Sequence, residues 1–116
     1  MDDWPSDRAM VKYMREKNKD MIKIVARTIV KEGMEEQYMA MAEELVRCSA
    51  AEEGNITYTL NQDIRNPRSF AMIEIWKDQE AIDRHNVSKH FTTIVPKLNE
   101  IAEEKAINLY REVKYN

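Results

Sequence analysis

The sequence holds a single cysteine, Cys48, in 116 residues. No internal disulfide can form, and a multi-cysteine metal site is excluded. Cys48 reads as a small packing residue rather than a nucleophile. Long apolar runs are missing as well: nothing approaches the roughly 20 residues needed to cross a bilayer. The N-terminus lacks the basic, apolar and small-residue regions of a secretion signal, so a cytoplasmic protein without membrane contact is expected. No stripe of one charge sign stands out, because basic residues are scattered among acidic ones and the net charge is -3. Nucleic acid is therefore not an expected partner. There is no G-x-G-x-x-G, no phosphate loop and no G-x-S-x-G, so nucleotide cofactors and serine hydrolysis have no motif here.

What is present is the composition of an ordinary folded domain, 43% apolar and 34% charged, long enough for one core. Residues 1–20 are highly charged and read as an N-terminal extension in which Ser6 or Asp7 caps a short helix carrying Met10, Val11 and Met14. Trp4 and Tyr13 add contacts, and this helix is expected to dock on the body or a neighbouring subunit, or to fray. The domain proper spans 21–116.

Its periodicity alternates cleanly. Residues 22–30 (IKIVARTIV) are rich in β-branched side chains and predict a strand. After a turn at Lys31, Glu32 and Gly33, residues 34–51 place Met34, Tyr38, Met41, Ala42, Leu45 and Ser49 at helical spacing. Residues 56–63 alternate with period two, residues 65–68 read as a turn, and 69–76 as the returning strand of a β-hairpin. Asp78 is a plausible N-cap for a short helix with Ala81, Ile82 and His85 inward. Phe91, Ile94, Val95, Leu98, Ile101 and Ala102 mark a further helical face with Pro96 near its first turn, and residues 106–115 predict a last strand. The order β, α, β, β, α, α, β is an α+β, ferredoxin-like split βαβ layout: a four-stranded antiparallel sheet with helices on one face.

That sheet is apolar on both sides. Phe70, Met72 and Trp76 alternate with Ala71, Ile73 and Ile75, and Ile22, Ile24 and Ala26 with Val25 and Ile29. Helices of one chain cover one face only, so a second copy is the natural cover for the other. A homodimer with two sheets packed face to face is expected.

The candidate site residues lie between 58 and 91. Trp76 offers an aromatic wall for a flat ligand and an indole N–H as donor. Glu74 alternates onto the same face, where a buried carboxylate must be paired or line a pocket. His85 is turned toward the sheet by helical pitch, and His90 follows beside Phe91. Either imidazole can serve as a general base near neutral pH. Tyr58 shares a face with Ile56 and Leu60, and Asn61 alternates away from it. The two histidines are five residues apart, not the three or four of a helical ligand pair, and no nearby cysteine or clear acidic ligand accompanies them. No metal is expected.

From Gly54 to Leu98 the succession of Tyr58, Leu60, Asp63, Asn66, Pro67, Phe70, the Glu74-Ile75-Trp76 triplet, Ala81, His85, Ser88, His90 and Phe91 resembles the antibiotic biosynthesis monooxygenase family of quinol monooxygenases. The likeness spans about residues 21–113. It implies a dimeric α/β barrel and, in some members, oxidation of quinols or polyketide-like rings by O2 without flavin or metal. On that resemblance His85 and His90 are the candidate catalytic bases, and Trp76, Tyr58, Phe91 and Glu74 the residues that hold a small-molecule substrate. Other branches degrade haem, act on small signalling molecules or have no known activity. The haem-degrading branch uses an asparagine in its first strand, and residues 22–30 contain none, which counts against haem. A non-catalytic dimeric binding module and an isomerase of a small oxygenated metabolite are the alternatives.

Overall fold

The computed structural model describes Arg8 and residues 20–115, so the short N-terminal helix proposed for residues 1–20 lies outside the described residues. Among the described residues seven elements follow one another: β1 (Ile22–Val30), α1 (Glu35–Ala50), β2 (Asn55–Asp63), β3 (Asn66–Trp76), α2 (Gln79–Asn86), α3 (Lys89–Glu100) and β4 (Ala102–Tyr110). The strands form one antiparallel sheet in the order β2-β3-β1-β4. Each of the two crossovers skips a strand, which is the ferredoxin-like α+β topology expected from the periodicity.

Local chemistry explains the element ends. Among the described residues Gly33 alone takes a positive φ, 83°, where a Cβ is disfavoured, and turns β1 toward α1. Asp78 caps α2, its carboxylate accepting from Ala81 N at 2.9 Å, and Ser88 caps α3, its hydroxyl accepting from Phe91 N at 3.3 Å. In α1, Tyr38, Ala42, Leu45 and Ser49 form one buried stripe. Ala42 is fully buried, and its small side chain lets the helix lie close to the sheet.

Directly paired residues share a face, so register fixes what meets the helices. Ile24, Glu74 and Tyr58 align across three strands, as do Ala26, Met72 and Leu60. Phe70 and Trp76 are sealed on this side, and Tyr38 stacks on Phe70 with ring centroids 4.9 Å apart. Burial of each large side chain contributes about 1.5–3 kcal/mol. On the opposite face Val25, Ile29, Ala71 and Ile75 are only half-buried and Ile73 is 40% exposed.

Four local expectations change. The hairpin turn is Ile64-Arg65 rather than 65–68, because Asp63 already pairs with Asn66 and accepts from Arg65 N at 2.8 Å. Pro67 is tolerated in β3 because the strand there extends beyond its pairing with β1, which ends at Ser69. Ile56 does not share the face of Tyr58: a bulge between Asn55 and Thr57 turns it out to 48% exposure.

At the C-terminal end, α3 runs continuously through Pro96 rather than starting near it. The last strand begins at Ala102 rather than 106 and ends at Tyr110. Lys31 N donates to Ile101 O at 2.9 Å, so β-pairing starts as soon as α3 stops. β4 is an edge strand whose exposed Glu103, Glu104 and Lys105 hide its alternation and protect the edge from further pairing.

Candidate active site

Between the sheet and the helices lies a cavity of about 390 Å³, within the size range of small-molecule sites. Its floor is the helix-side face of the sheet: Ile24, Ala26, Thr28, Tyr58, Met72 and Glu74. Leu45 and Tyr38 of α1, His85 at the end of α2, and Phe91, Val95 and Leu98 of α3 form the walls. Lys105 and Ile107 of β4, both exposed, mark the mouth. The lining is apolar apart from a few convergent polar groups, of which His85 and Glu74 are buried and ionisable.

His85 is the first of these. Its ring is buried, 4.5 Å from the Trp76 ring and 5.1 Å from that of Phe91, centroid to centroid. Nδ1 lies 2.6 Å from Oε2 of Glu52, and Nε2 of His90 lies 2.8 Å from the same oxygen. With Glu52 ionised, both nitrogens donate. His85 is thereby held as the Nδ1–H tautomer, and its Nε2, which has no partner among the described residues, is left as an acceptor in a ring that lines the cavity. Burial lowers the pKa of His85 below its ordinary value, against the opposing pull of Glu52. The imidazole is therefore neutral at pH 7.

Glu74 is the second. It is 5% exposed, and one of its oxygens accepts from Trp76 Nε1 at 2.8 Å. Burial raises its pKa to about 7 despite that hydrogen bond, with the Glu52 charge adding to the rise. Tyr58 donates to the weak acceptor Met72 Sδ at 3.2 Å. Burial, then the nearby Glu74, push its hydroxyl well above its usual range, so it stays a phenol.

A model of the antibiotic biosynthesis monooxygenase domain matches residues 21–97. The chain belongs to this family. "Putative monooxygenase YcnE" of Bacillus subtilis (strain 168) is 38% identical over 81 residues, which are 70% of this chain and 85% of that protein. Among solved structures, a conserved protein from Methanosarcina mazei Go1 superposes with a TM-score of 0.80 at 34% identity, covering 84% of this chain and 98% of the other. SnoaB, a cofactor-independent oxygenase from Streptomyces nogalater, has a TM-score of 0.74 at 19% identity over 83% of this chain and 96% of its own. At that identity the likeness shows the fold alone.

Within this member of the family, four of the six residues singled out in sequence, Tyr58, Glu74, His85 and Phe91, line the cavity. Trp76 and His90 stand behind that lining. The Trp76 N–H is engaged by Glu74 and its ring backs His85, so it supports the wall from behind. His90 reaches the site through Glu52. Asn61 faces away from Tyr58, its amide donating to Thr59 and Ala71 oxygens.

Sequence reasoning missed Glu52. It lies 33 residues before His85 and 38 before His90, in a polar stretch that reads only as the end of α1. The acidic group judged missing beside the histidines is thus supplied from another element. Among the described residues, Glu52, His85 and His90 are the one cluster whose potential metal-ligating atoms all lie within 4.8 Å. Their contacts are of hydrogen-bond length. No helix among the described residues is long and apolar enough to cross a membrane.

Proposed function

We propose that this protein is a monooxygenase that oxidises a small electron-rich phenol of the quinol type with O2, without flavin or metal. The observation that carries the reading is a buried imidazole on the cavity wall, held at Nδ1 by a carboxylate so that Nε2 has no partner among the described residues. His85 Nε2 takes the phenolic proton, and Glu52 stabilises the imidazolium that results. The phenolate then passes one electron to O2, and the radical pair joins through a new C–O bond. Collapse of the peroxide releases the second oxygen as water, so hydroquinone and O2 give hydroxyquinone and water, the substrate supplying both reducing equivalents. Tyr58 and Phe91 hold the ring, Trp76 supports His85, and His90 holds Glu52. The mainly apolar lining reduces contact of the anion with water on the inner side of the cavity, which suits a reaction whose intermediates are easily diverted.

The family membership and the name of the Bacillus relative support the same chemistry, and SnoaB carries the description of a cofactor-independent oxygenase on the same fold. The half-buried Val25, Ile29, Ala71 and Ile75, with Ile73 exposed among them, support a two-fold dimer formed through that face of the sheet. The direct test is oxygen uptake with a panel of hydroquinones. Uptake is expected with at least one, and it should be abolished in H85Q. Tight binding of the same compounds with no uptake would instead favour a non-catalytic binding module.

A further inference from the structure

The mechanism above leaves Glu74 without a part. A carboxyl buried to 5% exposure is normally matched by a cation, yet no lysine, arginine or histidine is ion-paired with it among the described residues. Its neighbours in register are Ile24 and Tyr58, and the Tyr58 hydroxyl is turned to Met72. Trp76 Nε1 donates to Oε1 and so fixes the plane of the carboxyl. Oε2 has no protein partner among the described residues and belongs to a residue that lines the cavity.

We propose that Glu74 is a ligand-recognition residue whose Oε2 presents a hydrogen-bond donor to the cavity. The site would then select molecules carrying two oxygens, a hydroxyl for His85 and an acceptor for Glu74. The inference rests on the cavity being the substrate site, as proposed above, and adds a second point of attachment that fixes which way round the ring lies. Of the groups facing Glu74 only the Trp76 N–H favours the carboxylate; burial outweighs it, the negative charge of Glu52 adds to burial, and Tyr58 from β2 and Ile24 from β1 bring no positive charge. Burial holds its pKa at about 7, so the donor is present at and below neutral pH. The acceptor can be a carbonyl, or a second hydroxyl accepting through its lone pair. A ligand with one oxygen leaves Glu74 buried and unsatisfied, which is where discrimination arises.

The experiment is calorimetric binding at pH 6.5 of 1-naphthol and of a panel of hydroxytetralones that differ in where the carbonyl sits relative to the hydroxyl. At least one hydroxytetralone should bind roughly tenfold tighter than 1-naphthol, the equivalent of one well-placed hydrogen bond. E74Q retains most of that preference, because the amide can accept from Trp76 and donate to the ligand. E74L, with folding checked by circular dichroism, should bind all probes alike. Equal binding of every probe to the wild type, or a preference that survives E74L, would overturn the role of Glu74 and leave the base assignment standing. Failure of every probe to bind, 1-naphthol included, would overturn both.

Discussion

Glu52 Oε2 lies 2.6 Å from His85 Nδ1, within charge-assisted hydrogen-bond length, although the two residues are 33 apart in the chain. The contact joins the turn after α1 to the end of α2 and decides which nitrogen of His85 carries the hydrogen. A glutamine at 52 keeps the shape but removes the charge that stabilises the imidazolium. E52Q is expected to lower kcat by roughly 10- to 150-fold, the equivalent of about 1.5–3 kcal/mol, with a smaller change in KM. Steady-state oxygen uptake measures it, and an unchanged kcat would remove Glu52 from the mechanism.

Burial of Glu74 makes stability depend on pH in a definite direction. Unfolded, the carboxyl loses its proton near 4.5; folded, it holds it to about 7. Between those values the native state binds more protons than the unfolded one, so the contribution of this group is fully present below 4.5 and is lost as pH rises through about 7. E74Q removes the penalty. Its stability relative to wild type should therefore rise across that window, by up to about 3 kcal/mol, and level off above pH 8. Urea unfolding at several pH values follows the difference.

Gly54 sits where a Cβ would come within 2.3 Å of Ala81 Cβ. Its carbonyl also accepts from Lys77 N at 3.0 Å, which ties the start of β2 to the chain leaving β3. The helix carrying His85 packs directly on this glycine. G54A is expected to cost about 1–3 kcal/mol, as overpacked cores do, and to disturb His85 as α2 is pushed outward. The A81G replacement should recover part of the loss in a thermal melt of the double variant.

Ile73 is the exposed member of the apolar patch on the open face of the sheet. A charge there costs little in an isolated chain but much in an interface that excludes water. I73E should shift sedimentation velocity from dimer toward monomer at micromolar concentration and leave the monomer's far-UV spectrum intact. A wild-type protein that sediments as a monomer would contradict the dimer directly.

Much of the fold was legible because its signals are local. The β-branched run 22–30 gives β1 to the residue, and the Tyr38-Ala42-Leu45-Ser49 stripe and the Asp78 cap place α1 and α2. Features set by pairing rather than by side-chain type were not legible. The bulge that turns out Ile56 and the early start of β4 depend on which backbone groups meet across the sheet. The site divides in the same way. Periodicity pointed His85 and Glu74 inward, but periodicity is silent on which distant residue completes a hydrogen bond. Glu52 and the Trp76–Glu74 bond became visible only once the elements were assembled.

The claim on which the mechanism depends is that His85 removes a proton from a phenol bound in the cavity. The pH dependence of oxygen uptake with a hydroquinone, in the wild type and in H85Q, tests it most directly. In the wild type kcat/KM should fall as the pH is lowered and His85 takes up a proton, and H85Q, with the general base removed, should show no uptake at any pH. A wild-type rate that does not fall on acidification, or an H85Q variant as active as the wild type, would contradict the assignment of His85 as the base.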